Sequence, residues 1–466
     1  MYISESSLTT EYRKAHPRQG LVLGLACAAQ AMVGLDIAIV NVALPSIQQD
    51  FGVGQSSAQW VVVAYGLLLG GFLLVGGRMA DLLGRRRILL AGLGLFTAAS
   101  LLAGTAQHIG VLIWARGLQG LGGALIAPAA LSLLAVAFRE GRERNRALGI
   151  FGAVGGAAGT VGVVASGFLA AGPGWRWAFF INVPAGLVLI GLAAACLAVD
   201  GTRGRSGRLD LAGASTVTGA LLTFVYALHH AATHGASALA WFAVAGVLIA
   251  AFAWIEKRAV APLVPAGALR NRTLVAANLT ALLTFAAFFS FIFLGSLLMQ
   301  QEFGYTPVQT GLAWLATTTT VFATSSAAGR FAAAMGVRRL LLVGLTLLTA
   351  GMVWLTRLPA DADYGTGLLP AFLLAGLGFG LCLPSLQIGA LSGVTESQSG
   401  LASGLIETMR EIGGAAGVAG VSAILVVGTG LAGFHTTFAA VGVLAALGAV
   451  TAATGFSRSR GLRSAP

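Results

Sequence analysis

Few side chains in this sequence could do chemistry, and most of those stand in apolar surroundings. Asp36 and Asn41 fall within LDIAIVNVALP, residues 35–45, at the end of an apolar run that begins at Leu21. A run of that length can cross a bilayer, which takes about 20 predominantly apolar residues. An ionised group at such a depth costs at least ~2.5 kcal/mol, so Asp36 is expected to face a protein interior or a wet cavity. Arg116 stands in another apolar run, at a depth of ~9 Å, and Asp36 lies ~14 Å from the same membrane face, at 1.5 Å per helical residue. These depths permit pairing if the two runs are neighbours, and a buried acid beside a buried arginine is what neutralisation in lipid demands. Two readings stay open: a static ion pair, or a carboxylate whose proton occupancy switches with small changes of geometry. Glu407, Arg410 and Glu411, spaced i, i+3, i+4, share one helix face. They form either a salt-bridge cluster near the cytoplasmic end or a second proton or cation site. His229, His230 and His234 could be spaced for a metal, but no second ligand cluster accompanies them, so they read as loop histidines and no metal site is expected.

The segments that hold these residues define the class of protein. Of 466 residues, 57% are hydrophobic and only 9% charged, with mean hydropathy +0.86, whereas soluble domains carry about a quarter charged residues. The 66 glycines suit helices packed closely in a membrane. A net charge of +12 could suggest nucleic acid, but the basic residues sit in short loops that recur after every second apolar run. Cys27, Cys196 and Cys382 lie singly in separate runs, without ligand spacing, and read as packing residues. The basic start (Arg13, Lys14, Arg18) precedes a run too long for a signal peptide, so that run is expected to be a retained first helix. No run carries a His/Glu metal pair, a Ser/His arrangement or a nucleotide loop, so an enzyme and a cofactor are not expected.

Apolar runs fall near 21–45, 57–77, 88–106, 110–136, 146–170, 176–199, 211–229, 237–255, 274–299, 308–332, 340–357, 366–390, 401–427 and 432–455. They predict an all-α polytopic membrane protein with fourteen transmembrane helices. Arginine and lysine on alternate loops place both termini in the cytoplasm and the His229–His234 loop outside. The chain also repeats itself. GRMADLLGRRRILL at 77–90 and GRFAAAMGVRRLLL at 329–342 stand 252 residues apart, and the same shift superposes the first six runs on the last six. The expected division is a cytoplasmic tail (1–20), a six-helix bundle (21–199), an inserted helix pair (200–272), a second six-helix bundle (273–456) and a cytoplasmic tail (457–466). Such repeats are a transporter design, with the substrate site between the halves.

The loop motif has its own physical reading. Gly77 and Gly84 permit close helix approach and a tight turn. Asp81, among Arg78, Arg85, Arg86 and Arg87, can pair locally or meet the positive N-terminus of another helix. The second copy has Ala333 in place of Asp81, so an acidic latch would be single-sided. The rival reading is a topology-setting basic turn, which explains the arginines better than the acid. In the fifth run, Gly152/Gly156 and Gly155/Gly159 give two GxxxG spacings suited to close packing across the bundles.

Taken with Trp60 and Tyr65, IWARGLQGLGGA (113–124), WRWAFFINVP (175–184), FGYTPVQTGLAWL (303–315) and GLASGLIETMREIGGAAGVAG (400–420), these motifs resemble the major facilitator superfamily, specifically its fourteen-helix drug:proton antiporter branch (the EmrB/QacA type). The likeness spans nearly the whole chain. It departs from the family at Gly162-Val163, where relatives carry Gly-Pro, and at Glu407 and Glu411, where relatives more often carry amides. The resemblance implies a major facilitator fold of two pseudo-symmetric bundles and proton-coupled efflux of amphiphilic drugs or antibiotics by alternating access. It assigns Asp36 and Arg116 to proton coupling, Asn41, Trp60, Tyr65 and Gln119 to the substrate cavity, and Gly77, Asp81, Gly84, Arg85 and Arg86 to a conformational latch. Its partners would be the lipid bilayer of a bacterial inner membrane, a small-molecule substrate and protons, with the protein acting as a monomer and binding no nucleic acid. An exporter of an endogenous metabolite or lipid is the alternative on the same scaffold, and a sensor is a further one.

Overall fold

A computed structural model describes residues 5–171, 174–197, 210–234, 237–259, 262–359, 361–427 and 430–456. Within these helices the side-chain surroundings of Asn41, Gly159, Val163, His229 and His234 lie outside the described set. The first part comprises α1 (Glu5–Phe51), α2 (Gln55–Leu83), α3 (Arg85–Gly104), α4 (Ile109–Ala137), α5 (Arg142–Ala171), the single turn α6 (Trp177–Phe180) and α7 (Asn182–Cys196). A hairpin of α8 (Leu211–His234) and α9 (Ala238–Arg258) follows, and a turn of helix, α10 (Ala266–Arg270), leads onward. The last part comprises α11 (Arg272–Gln301), α12 (Pro307–Met335), α13 (Val337–Leu355), α14 (Leu369–Leu391), α15 (Ser399–Val427) and α16 (Gly430–Gly455). Among the described residues, ten spans are long and apolar enough to cross a membrane by length and composition, α6 and α7 counting as one.

Local sequence explains several boundaries. Thr306 and Gln309 form a reciprocal capping box with Pro307 in the first turn of α12, which leaves few helix-start amides unmatched. The Asn271 side chain accepts from the amides of Thr273 and Leu274 at the start of α11. Gly84 and Gly336, equivalent in the repeat, both break between helices at positive φ, +106° and +81°, a conformation that disfavours any side chain. Helix α1 runs from Glu5 to Phe51, extending beyond the expected apolar run at both ends, while its membrane-crossing span is Gln19–Val40. Its extension past Pro45 is held because Ile47 is fully buried with Val61, Leu112 and Phe179.

Helices α11, α12 and α14 share an aromatic core, in which Phe288 stacks on Phe379 at 3.6 Å and Trp314 on Phe372 at 4.5 Å. The two parts meet through α2 against α15 and α5 against α12 and α14. A Cβ on Gly404 would lie 2.8 Å from the Leu73 carbonyl, and one on Gly149 would lie 3.2 Å from the Gly329 amide. All hydrogen bonds described between α1–α7 and α11–α16 fall at the arginine-rich ends of these helices. The molecule is thus shut at its basic end. The α8–α9 hairpin leans on α2 and α15 through α8, while α9 leaves Leu239, Val244, Val247 and Trp254 exposed, as a lipid-facing helix would.

Candidate functional site

Helices α1, α4 and α7 bring their rare polar residues to one point. Arg116 Nη1 lies 2.5 Å from Asp36 Oδ2, and both side chains are at most 1% exposed. The other carboxylate oxygen accepts from Gln119 Nε2 at 3.1 Å and Asn182 Nδ2 at 2.9 Å. Arg116 also donates through Nε to the Val61 carbonyl at 3.0 Å and through Nη1 to Gln119 Oε1 at 3.0 Å. Gln119 passes the network to Ser100 at 2.7 Å, which ends on the Phe96 carbonyl. A buried charge needs this density of partners to be tolerated. Asn182 and Ser100 are additions that sequence reasoning missed. Asn182 sat inside WRWAFFINVP, and an amide beginning a helix after aromatic residues gives no sign that it will meet Asp36.

Tyr65, on α2, stacks its ring under the Arg116 guanidinium at 4.2 Å. Its hydroxyl is buried with no hydrogen-bond partner, within electrostatic reach of Asp36 and Arg116 and also of Glu411 and Arg410. Tyr65 thus links the Asp36–Arg116 pair, through its ring, to the electrostatic field of the charged triad of α15. In that triad Arg410 approaches Glu407 Oε2 at 2.7 Å and Glu411 Oε1 at 3.2 Å. Glu407 Oε2 has no aligned N–H, so charge rather than a directed hydrogen bond holds it. Glu407 is 2% exposed and Glu411 31%, and the three residues begin ~12 Å along α15 from Ser399, well inside the helix.

At the basic end, the Asp81 carboxylate accepts from the Gly400 and Leu401 amides at 2.8 Å each. These are free donors at the N-terminus of α15, where a helix also concentrates positive partial charge. Arg85 joins Asp81 at 3.4 Å, Ser132 at 2.7 Å, Ser399 at 3.0 Å and the Glu396 carbonyl, and Ser132 meets Ser399 at 2.8 Å. Gly77 faces the backbone of Gly400 and Gly404. Arg86 donates at 2.7 Å to the Ala194 carbonyl near the end of α7.

The remaining expected residues divide. Trp60 stacks on Tyr226 of the hairpin at 6.3 Å, and Gln119 is consumed by the Asp36 network. Gly152 and Gly156 face Pro384 and Val321 across the two parts, whereas Gly155 faces Gln30 of α1. Cys27 and Cys382 are buried and all three cysteines are free. His230 stacks on Tyr226 at 5.7 Å, and no cluster of metal ligands occurs among the described residues. At the opposite end a cleft of about 230 Å³ is lined by Ser46, Gln49, Asp50, Gly174 and Trp175, remote from the buried charges. There the Arg176 guanidinium, 2.8 Å away, and the Trp175 N–H hold the Asp50 carboxyl below its ordinary range.

A family model described as the Major Facilitator Superfamily matches residues 26–418 and, again, residues 278–466. The chain is 39% identical over 408 residues to the puromycin resistance protein pur8 of Streptomyces alboniger, covering 86% of this chain and 81% of that one. It is 37% identical over 422 residues to the cephamycin export protein CmcT of Amycolatopsis lactamdurans, covering 88% and 85%. Among solved structures, the human organic anion transporter MFSD10 shares the fold at a TM-score of 0.71 and 15% identity, over 93% of this chain and 99% of the other.

Proposed function

This chain belongs to the Major Facilitator Superfamily, and from that premise we propose that it exports small organic molecules of the drug and antibiotic class, driven by inward proton flow. The relatives named for antibiotic resistance and export support the substrate class and direction. The observation that carries the coupling is the enclosed Asp36–Arg116 pair, an ion pair kept in a membrane interior at a cost that packing alone does not require. With the basic end cytoplasmic by the positive-inside rule, the closed seam corresponds to the outward-facing state of an alternating-access cycle. Protonation of Asp36 would remove its attraction for Arg116 and loosen α1 from α4. Tyr65 would carry that change towards Arg410 and Glu411.

The fourteen-crossing architecture of the EmrB/QacA branch belongs to the same reading. Beyond the ten apolar spans, α5, α8, α12 and α15 are each long enough to cross at 1.5 Å per residue, and α15 combines that length with the charged triad. The protein acts as a monomer in a bacterial inner membrane, with six helices on either side of the α8–α9 insertion. The decisive experiment uses purified protein in vesicles with an imposed pH gradient and a fluorescent amphiphilic cation. Asp36→Asn keeps shape and most hydrogen bonding but cannot titrate, so substrate-dependent proton movement should vanish. Wild-type exchange stoichiometry in Asp36→Asn would reduce the pair to scaffolding.

A further inference from the structure

The α14–α15 connection is gripped at both of its ends by the first bundle, and only one grip was anticipated from the loop motif. At its far end Asp81 and Arg85 hold Gly400, Leu401 and Ser399. At its near end, Arg144 in the first turn of α5 donates through Nη2 to the Leu391 carbonyl at 2.8 Å. Leu391 is the last residue of α14. Glu140, just before α5, steadies Arg144 at 3.1 Å and accepts from the Gly393 amide at 3.3 Å. That amide is presented by a turn with φ +67° at Gly393, and Arg144 is 7% exposed.

The signs of the two grips match the helix ends they hold. The end of α14 offers unpaired carbonyls and a negative partial charge, and it receives a guanidinium. The start of α15 offers unpaired amides and a positive partial charge, and it receives a carboxylate. Neighbouring carbonyls of α14 are already occupied: Ile388 by the Ser392 hydroxyl at 2.6 Å and Gly389 by the Ser392 amide at 3.3 Å. Arg144 thus takes the last carbonyl of α14 from outside its own bundle. A single contact at Asp81 would let the α14–α15 pair pivot, whereas two contacts separated by the loop fix its orientation. The repeat has no second acid, since Ala333 stands opposite Asp81 in the alignment of the two loops. The arginine of α5 supplies the missing hold with the opposite charge on the opposite helix end.

We propose that Arg144 and Glu140 form the second jaw of a two-point clamp on the 392–398 loop, and that both jaws must release before the basic end opens. This rests on the alternating-access reading, so the test reads conformation directly. Spin labels at Leu83→Cys and Met335→Cys, both exposed helix ends, would report the separation of the two bundles at the basic end in a background lacking the native cysteines. Labelled protein in nanodiscs should show a dominant short distance. Arg144→Gln should shift the closed-to-open ratio roughly tenfold towards long distances, the size expected for one lost charged hydrogen bond. Glu140→Gln, at an exposed site, should shift it in the same direction but less, and Arg144→Lys should recover part of the closed population. Asp81→Asn combined with Arg144→Gln should exceed either alone. If Asp81→Asn opens the protein and Arg144→Gln does not, the second jaw is overturned while alternating access stands. An Arg144→Lys distribution matching Arg144→Gln would equally overturn it, because the grip would not depend on the charge. If neither Asp81→Asn nor Arg144→Gln, nor the pair together, moves the distance, the seam is not a gate and the access reading fails with the clamp.

Discussion

Asp36 has three side-chain donors, and each can be removed separately. Arg116→Ala leaves the acid with its two amide donors only, and breaking one partner of a buried pair costs about 3–5 kcal/mol. The purified variant should lose much of its thermal stability as well as its transport. Asn182→Leu deletes a neutral donor, for about 1–3 kcal/mol, and should lower proton-coupled exchange while leaving a foldable protein. Unchanged exchange in Asn182→Leu would exclude Asn182 from the coupling network. Tyr65→Phe keeps the ring under Arg116 and removes only the unpartnered hydroxyl. It should therefore retain stability yet weaken coupling, whereas Tyr65→Leu should lose both, the ring contact contributing roughly 0.5–2 kcal/mol. Asp36 and Arg116 were legible from sequence because a charge in an apolar run is conspicuous. Asn182, Ser100 and Ser132 were not, since small neutral polar residues are ordinary in membrane helices and declare a role only through their neighbours.

Elements impose a second kind of constraint, set by how closely their backbones meet. A Cβ at Gly77 would press on the carbonyl of Gly400 and lie 2.9 Å from Gly404 Cα, so Gly77→Ala must push α2 from α15. Between bundles this strain falls on the closed state alone. Gly77→Ala should therefore increase access to the basic end and slow transport, while Gly94→Ala, with nothing within 4 Å of its would-be side chain, should leave both unchanged. Thiol labelling of a cysteine at Ala328, fully buried beside the Gly149–Gly329 approach, would compare the two. The loop motif announced Gly77 and Asp81 because it concentrates charge and glycine in a short stretch. Gly149 and its approach to Gly329 went unnoticed, because in a chain with so many glycines only geometry distinguishes the ones at a crossing. The extension of α1 past Pro45 was equally hidden, as it depends on a tertiary burial of Ile47.

For the whole molecule, the basic residues and the closed seam lie at the same end, so membrane orientation decides which state the fold represents. Asp361→Cys, exposed between α13 and α14, should react with an impermeant thiol reagent added outside intact cells. Met335→Cys, at the basic end, should react only after permeabilisation, and the reverse pattern would invert both the topology and the assigned state. The internal repeat was readable because the loop motif recurs 252 residues on, and its two copies break between helices alike at Gly84 and Gly336. The arrangement of the contacts between the bundles was not, because it depends on which state the protein occupies. At its tightest points the seam sets backbone against backbone, so little rotamer freedom is lost when it shuts. What holds it beyond packing is a handful of hydrogen bonds, each contributing a net ~0.5–3 kcal/mol. Reversing a two-state population from 1:99 to 99:1 takes a ligand that binds the favoured state about 5.5 kcal/mol more tightly than the other. A gate latched by hydrogen bonds at the lower end of that range is one that its own cargo can turn.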